Sequence, residues 1–108
     1  MELEDLPVNI PPEKFTEYAL DPVKQPDKAR AFREALGYTK ENYSELISNI
    51  RQNLDVGALK YKKTVCDGDL YEYVMEIIGA NGRKANVLTA WINDKVKGEL
   101  RLTTAHID

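Results

Sequence analysis

Apolar and polar residues change their period once along this chain, near Leu54. Before that point the spacing is helical. Tyr43, Leu46, Ile47, Ile50 and Leu54 fall at i, i+3, i+4, i+7 and i+11, which predicts an amphipathic helix over residues 40–54 capped by Thr39. Phe32, Ala35 and Leu36 mark the inner side of a second helix over 27–36, with Asp27 as its N-cap and Gly37 as its stop. A shorter helix over 12–20 starts at Pro12, turns Phe15, Tyr18 and Ala19 to one side, and ends at Asp21-Pro22. Pro7, Pro11 and Pro12 keep residues 1–11 out of a helix, so an extended arm is expected there, followed by a single domain over 12–108.

After Leu54 the period is two. Asn81-Gly82 sits between two runs rich in β-branched and aromatic residues and predicts a two-residue hairpin turn. That turn pairs Ile78 with Ala85 and Met75 with Leu88. It places Tyr71, Tyr73, Met75 and Ile77 on a core face with Leu88, Ala90 and Ile92, and leaves Val74, Val87 and Trp91 on a mixed outer face. Residues 58–65 form a lysine-rich edge strand, joined through Asp67-Gly68. A one-residue bulge there turns Tyr61 inward and the lysines out. A last strand over 99–107 pairs Leu100 with Ile92 and puts Leu102, Thr104 and His106 on the core face. The expected fold is α+β, with N-terminal helices packed on one face of a four-stranded antiparallel meander sheet.

Composition changes this picture little. At 108 residues with 43% hydrophobic and 31% charged content, the chain is an ordinary globular one, and no run is apolar enough for a membrane span. The acidic N-terminus is unlike a signal peptide, and the single Cys66 has no disulfide partner within the chain, so a cytoplasmic location is expected. Charge is uneven. Residues 1–27 hold seven acids and two lysines, whereas the rest is weakly cationic, so nucleic-acid binding would need a local patch. No phosphate loop, CxxC, HExxH or acidic cluster points to a metal or a cofactor.

The candidate chemistry sits at the end of the last strand. His106 is the only histidine, the side-chain type best suited to acid or base work near neutrality, and Thr104 lies two residues before it. Lys28 or Arg30 would add positive charge if the second helix packs above. The alternative is that the strand simply emerges into solvent there. Arg83 lies at the hairpin turn, where it is either part of a phosphate-binding rim or a solvated loop charge. Trp91, Val87 and Val74 make a candidate interface.

The runs KFTEYALDPVKQPDKARAFREALGYTKENYSELISNI, YEYVMEIIGANGRKANVLTAWI and LRLTTAH resemble a small bacterial domain family of unknown function. Its pattern reads K-x-x-x-Y-L-L-(N/D)-P, then G-x-N-G-R-x-A-x-V-x-T-x-W-I, then R-L-(V/T)-T-A-Y. The resemblance covers residues 14–106 and implies the same α+β fold. A more distant similarity, to the barnase–EndoU–RelE-like ribonucleases, implies metal-independent RNA cleavage as in bacterial toxin modules. It would make His106 the acid or base, let Thr104 orient the phosphate, and have Lys28, Arg30 and Arg83 neutralise it. The alternative is a non-catalytic module that binds a cognate protein or a second copy of itself, antitoxin-like, through the Trp91 face or the strand 58–65.

Overall fold

A computed structural model describes residues 3–108; the first two residues of the expected arm lie outside it. The fold is α+β. Four long strands, β2 (Lys60–Val65), β3 (Gly68–Ile78), β4 (Lys84–Asp94) and β5 (Glu99–Ile107), form the expected antiparallel meander. A fifth strand makes the sheet mixed. The arm contributes β1 (Val8–Asn9), which runs parallel to β5 and gives the order β1-β5-β4-β3-β2. Leu6 and Ile10 flank β1 and enter the core, so burial of these side chains draws the arm onto the sheet.

Between β1 and the meander lie a π-helical segment (Phe15–Ala19), helix α1 (Pro26–Leu36) and helix α2 (Tyr43–Asn53). They cover one face of the sheet. Phe15, Phe32, Leu36, Leu46 and Ile50 are buried there against Met75, Ile77, Val87, Trp91, Leu100 and Leu102. Helix α1 starts two residues earlier than Asp27 as N-cap implies, because Pro26 takes the first helical position and Gln25 the cap position. Gly37 ends it in the left-handed conformation, φ 73°. Thr39 caps the next segment in a reciprocal box. Its hydroxyl accepts from Glu41 N–H at 3.3 Å, while its own N–H donates to Asn42 Oδ1 at 2.8 Å.

The central hairpin differs from expectation by one residue. Gly79 N–H donates to Arg83 O at 2.7 Å and Gly82 N–H to Gly79 O at 3.1 Å, so the loop is Ala80-Asn81-Gly82, three residues long. The third loop residue slips the register. Met75 now faces Val87, Tyr73 faces Thr89, and Tyr71 faces Trp91. Helix α1 sets this loop: Asn81 N–H donates to Leu36 O at 3.3 Å, and a Cβ on Gly79 would lie 2.3 Å from that same oxygen. Tyr38 Oη adds a 2.8 Å bond to Ile78 O. The slip moves Trp91 and Val87 into the core, each 0% exposed, while Val74 stays on the opposite face. The interface expected from Trp91, Val87 and Val74 together therefore does not exist as a surface.

Strand β5 departs from expectation through a bulge. Trp91 pairs with Leu102 but Ala90 pairs with Thr104, which leaves Thr103 as the extra residue. Its hydroxyl donates to Ala90 O at 3.1 Å. Leu100 and Leu102 precede the bulge on the core face, and Ala105 and Ile107 follow on that same face. Thr104 and His106, expected inward, turn to the uncovered face, and His106 lies opposite Leu88 rather than Asn86. An unbulged strand would bury a threonine and the histidine among apolar side chains. The expected bulge in edge strand β2 falls at Lys62, and Tyr61 meets Tyr71 edge-on at 5.9 Å. Its turn into β3 is Cys66-Asp67, with Gly68 already in the strand.

Asp94 closes the β4–β5 connection. Its Oδ1 accepts from the N–H groups of Val96 and Lys97, each at 3.0 Å, and its Oδ2 from Arg101 Nη1 at 2.7 Å. The Lys97 N–H first, then the Arg101 guanidinium, hold the Asp94 carboxyl below the usual carboxylate range. Stability from this ionised group is complete above the unfolded-state pKa, about 3.9, and is lost as pH falls through the lower folded-state value. Asp94→Asn is therefore expected to destabilise at pH 7 and to show a shallower loss of stability between pH 5 and pH 2 in urea titrations. Asp21 and Asp69, also held low, keep some acid dependence in the variant. Parallel curves for the two proteins would refute the assignment.

Candidate functional site at the sheet edge

Strand β1 is short because Pro11-Pro12 cannot extend a ladder. It pairs with β5 only at Leu100 and Arg101, and the outer edge of β5 has no strand partner from Leu102 onward. Asp108 N–H donates to Asn86 O at 2.9 Å, and the antiparallel alternation then points the N–H groups of Ala105 and Ile107 to that open edge. The chain returns over this edge through the π-helical segment and the start of α1.

A cleft of about 140 Å³ results, lined by Lys14, Tyr18, Gln25, Lys28, Thr103 and Thr104 among others. It is too small to enclose a nucleotide, since pockets that engulf small molecules start at about 300 Å³, but it suits a phosphate group of a longer ligand lying across it. Local structure gathers the cations. Asp21 Oδ1 accepts from Val23 N–H at 2.9 Å and Lys24 N–H at 3.4 Å, a turn that folds Lys24 back onto the Tyr18 ring. Lys24 Nζ lies 5.5 Å from the ring centroid and Lys14 Nζ 5.8 Å. Among the described residues none of Lys14, Lys24 and Lys28 forms an ion pair. Tyr18 is 46% exposed.

Lys28 also lines a second, adjoining cleft with Asp27, Ala31, His106 and Ile107. Thus Lys28 neighbours Thr104 on one side and His106 on the other, as the sequence suggested, although both reach it across the strand edge rather than from the core face. The two arginines are not brought in. Arg30 pairs with Asp27 at 3.3 Å and lines neither cleft. Arg83 sits at the hairpin tip, five strand positions or about 17 Å from Leu88, the partner of His106. Lys14, Lys24 and Gln25 carry no mark of a site in the sequence, and Tyr18, expected beside Phe15 and Ala19, is exposed instead, because their convergence depends on how the segment 12–25 is folded. A tyrosine followed six residues later by a lysine carries no periodic signal.

Among the described residues no group of three or more His, Cys, Asp or Glu is placed to hold a metal ion, and no helix is long and apolar enough to cross a membrane. No curated protein and no solved structure matches the chain, so the ribonuclease similarity has no support from that side. The quoted motifs, by contrast, fall within a family match that runs over residues 3–108. This chain belongs to the domain of unknown function family DUF6883.

Proposed function

We propose that the cleft beside β5 binds the phosphate backbone of RNA. The observation that carries this reading is the convergence of Lys14, Lys24 and Lys28 around Tyr18 without acidic partners, at a strand edge that presents the Thr104 hydroxyl. The lysines take phosphates, the Thr104 hydroxyl orients them, and Tyr18 gives an unstacked base a face to lie on. His106, one cleft away past Lys28, is the one imidazole able to exchange a proton with a ribose 2′-hydroxyl as its oxygen attacks the adjacent phosphorus and the 5′-oxygen leaves.

Binding of a single-stranded RNA oligomer is expected to weaken with salt at a slope near −2 on a double-logarithmic plot, as three phosphate contacts on a single strand give. Lys28→Ala is expected to reduce that slope by about 0.7, and Tyr18→Ala to weaken binding about tenfold or more. Cleavage in EDTA that His106→Ala abolishes at unchanged affinity would add the catalytic step. Equal cleavage by both proteins removes His106 as a catalyst, and salt-independent binding removes the cleft.

A further inference from the structure

The helices cover one face of the sheet, and among the described residues no helix covers the other. Its side chains follow from the register. Leu70, Val74 and Ile78 of β3 stand beside Leu88, Ala90 and Ile92 of β4, with Thr104 and His106 on the β5 side. Two adjoining depressions share Lys62 and Glu72 here. One reaches across Leu70 and Ala90 to Thr103, and the other runs over Val74 and Leu88 to Lys60. Val74 and Ile78 are 42% and 57% exposed. The face therefore has an apolar floor and a lysine rim.

We infer that this face docks an amphipathic helix of a partner protein, its apolar side on Val74, Leu88 and Ala90 and its acidic flank on Lys60, Lys62 and Lys63. Charge decides the kind of partner. The chain as a whole is net acidic, at −3, yet the β2 side of this face sets Lys60, Lys62 and Lys63 against Glu72, while the acids Asp94 and Glu99 lie at its β5 side, held by Arg101. The one ion pair of those lysines, Lys62–Glu72 at 3.5 Å, is a half-exposed contact of small worth and yields to a better-placed carboxylate. Size agrees as well. Four strands span about 14 Å, room for one helix 10–12 Å across.

RNA fits the Val74–Leu88–Ala90 floor poorly, because Tyr61, Tyr71 and Tyr73 all lie on the helix-covered side and leave no tyrosine ring there to stack a base. A second copy of the same face brings Glu72 already paired to Lys62 and Asp94 and Glu99 already paired to Arg101.

The test uses the full chain, isotopically labelled, and two synthetic amphipathic peptides about 15 residues long, one of leucine and glutamate and one of leucine and lysine. The acidic peptide is expected to shift the amide resonances of Val74, Leu88 and Ala90 and the basic peptide to leave them. Lys62→Glu with Lys63→Glu, both at exposed positions, is expected to weaken the acidic peptide at least tenfold, and Val74→Glu likewise. Equal response to both peptides, no response at millimolar peptide, or shifts confined to the Tyr18 cleft would overturn the inference. So would an RNA oligomer that shifts Val74, Leu88 and Ala90, away from Thr104 and His106, or a dimer that Val74→Glu dissociates.

Discussion

Gly68→Ala is expected to destabilise the fold by about 3 kcal/mol or more, near the upper end of what single substitutions do. The cause is steric. A Cβ at this position would stand 1.8 Å from the carbonyl oxygen of Asn93, a backbone atom of the neighbouring strand that cannot swing aside. Relief requires β3 and β4 to part where Gly68 pairs with Asp94 and Lys95 N–H bonds to Asp67 O at 2.9 Å. A fall in melting temperature of roughly 12 °C or more should follow for a domain of this size. Gly82→Ala separates this effect from simple loss of a glycine. Gly82 has φ 81° and nothing within 4 Å of its missing Cβ, so only conformational strain of about 1–2 kcal/mol applies. If the two variants melt together, the close approach at Gly68 is not real.

Trp91→Ala is expected to cost about 3–5 kcal/mol, the range for emptying a large buried site. Trp91 is wholly buried, and its indole N–H donates at 2.8 Å to Thr89 Oγ1, whose hydroxyl donates at 2.7 Å to Tyr73 O. Trp91→Phe keeps most of the volume and is expected to lose about 1 kcal/mol with that hydrogen bond. Urea denaturation of the three proteins gives the comparison. As Trp91 is the only tryptophan, native emission should be blue-shifted and move to the red on unfolding. Native emission at the wavelength of exposed tryptophan, or a loss under 1 kcal/mol in Trp91→Ala, would return Trp91 to the surface and restore the register of a two-residue loop.

The difference between those registers shows where sequence reasoning stops. In β3 and β4 both alternate sets of residues are apolar enough to face a core: Val87, Thr89 and Trp91 on one side, Leu88, Ala90 and Ile92 on the other. Period alone therefore leaves the face open, and turn length has to choose. Asn-Gly favours a two-residue loop, but its glycine also fits the left-handed position of a three-residue one, where Gly82 sits at φ 81°. The choice came from α1, whose last carbonyls bind Asn81 and crowd Gly79. In β5 the signal was present and readable. Apolar residues switch from even positions, Leu100 and Leu102, to odd ones, Ala105 and Ile107, and such a switch requires an extra residue between them.

The candidate site divides in the same way. Lys28, Thr104 and His106 belong to elements whose existence was plain, and they do meet at one edge. Arg30 and Arg83 had only charge to recommend them. Lys14, Lys24 and Tyr18 depend on the turn at Asp21.

By itself the sequence determined the long elements, their α+β class, the capped start at Thr39, and the edge placement of the lysine-rich strand. Each rests on contacts between residues close in the chain, or on a periodic face that one partner layer satisfies. Tertiary structure decided the sheet register, the parallel fifth strand and the cleft. Those rest on backbone groups and side chains far apart in sequence, where single hydrogen bonds and close approaches choose between patterns that hydrophobicity leaves nearly equal.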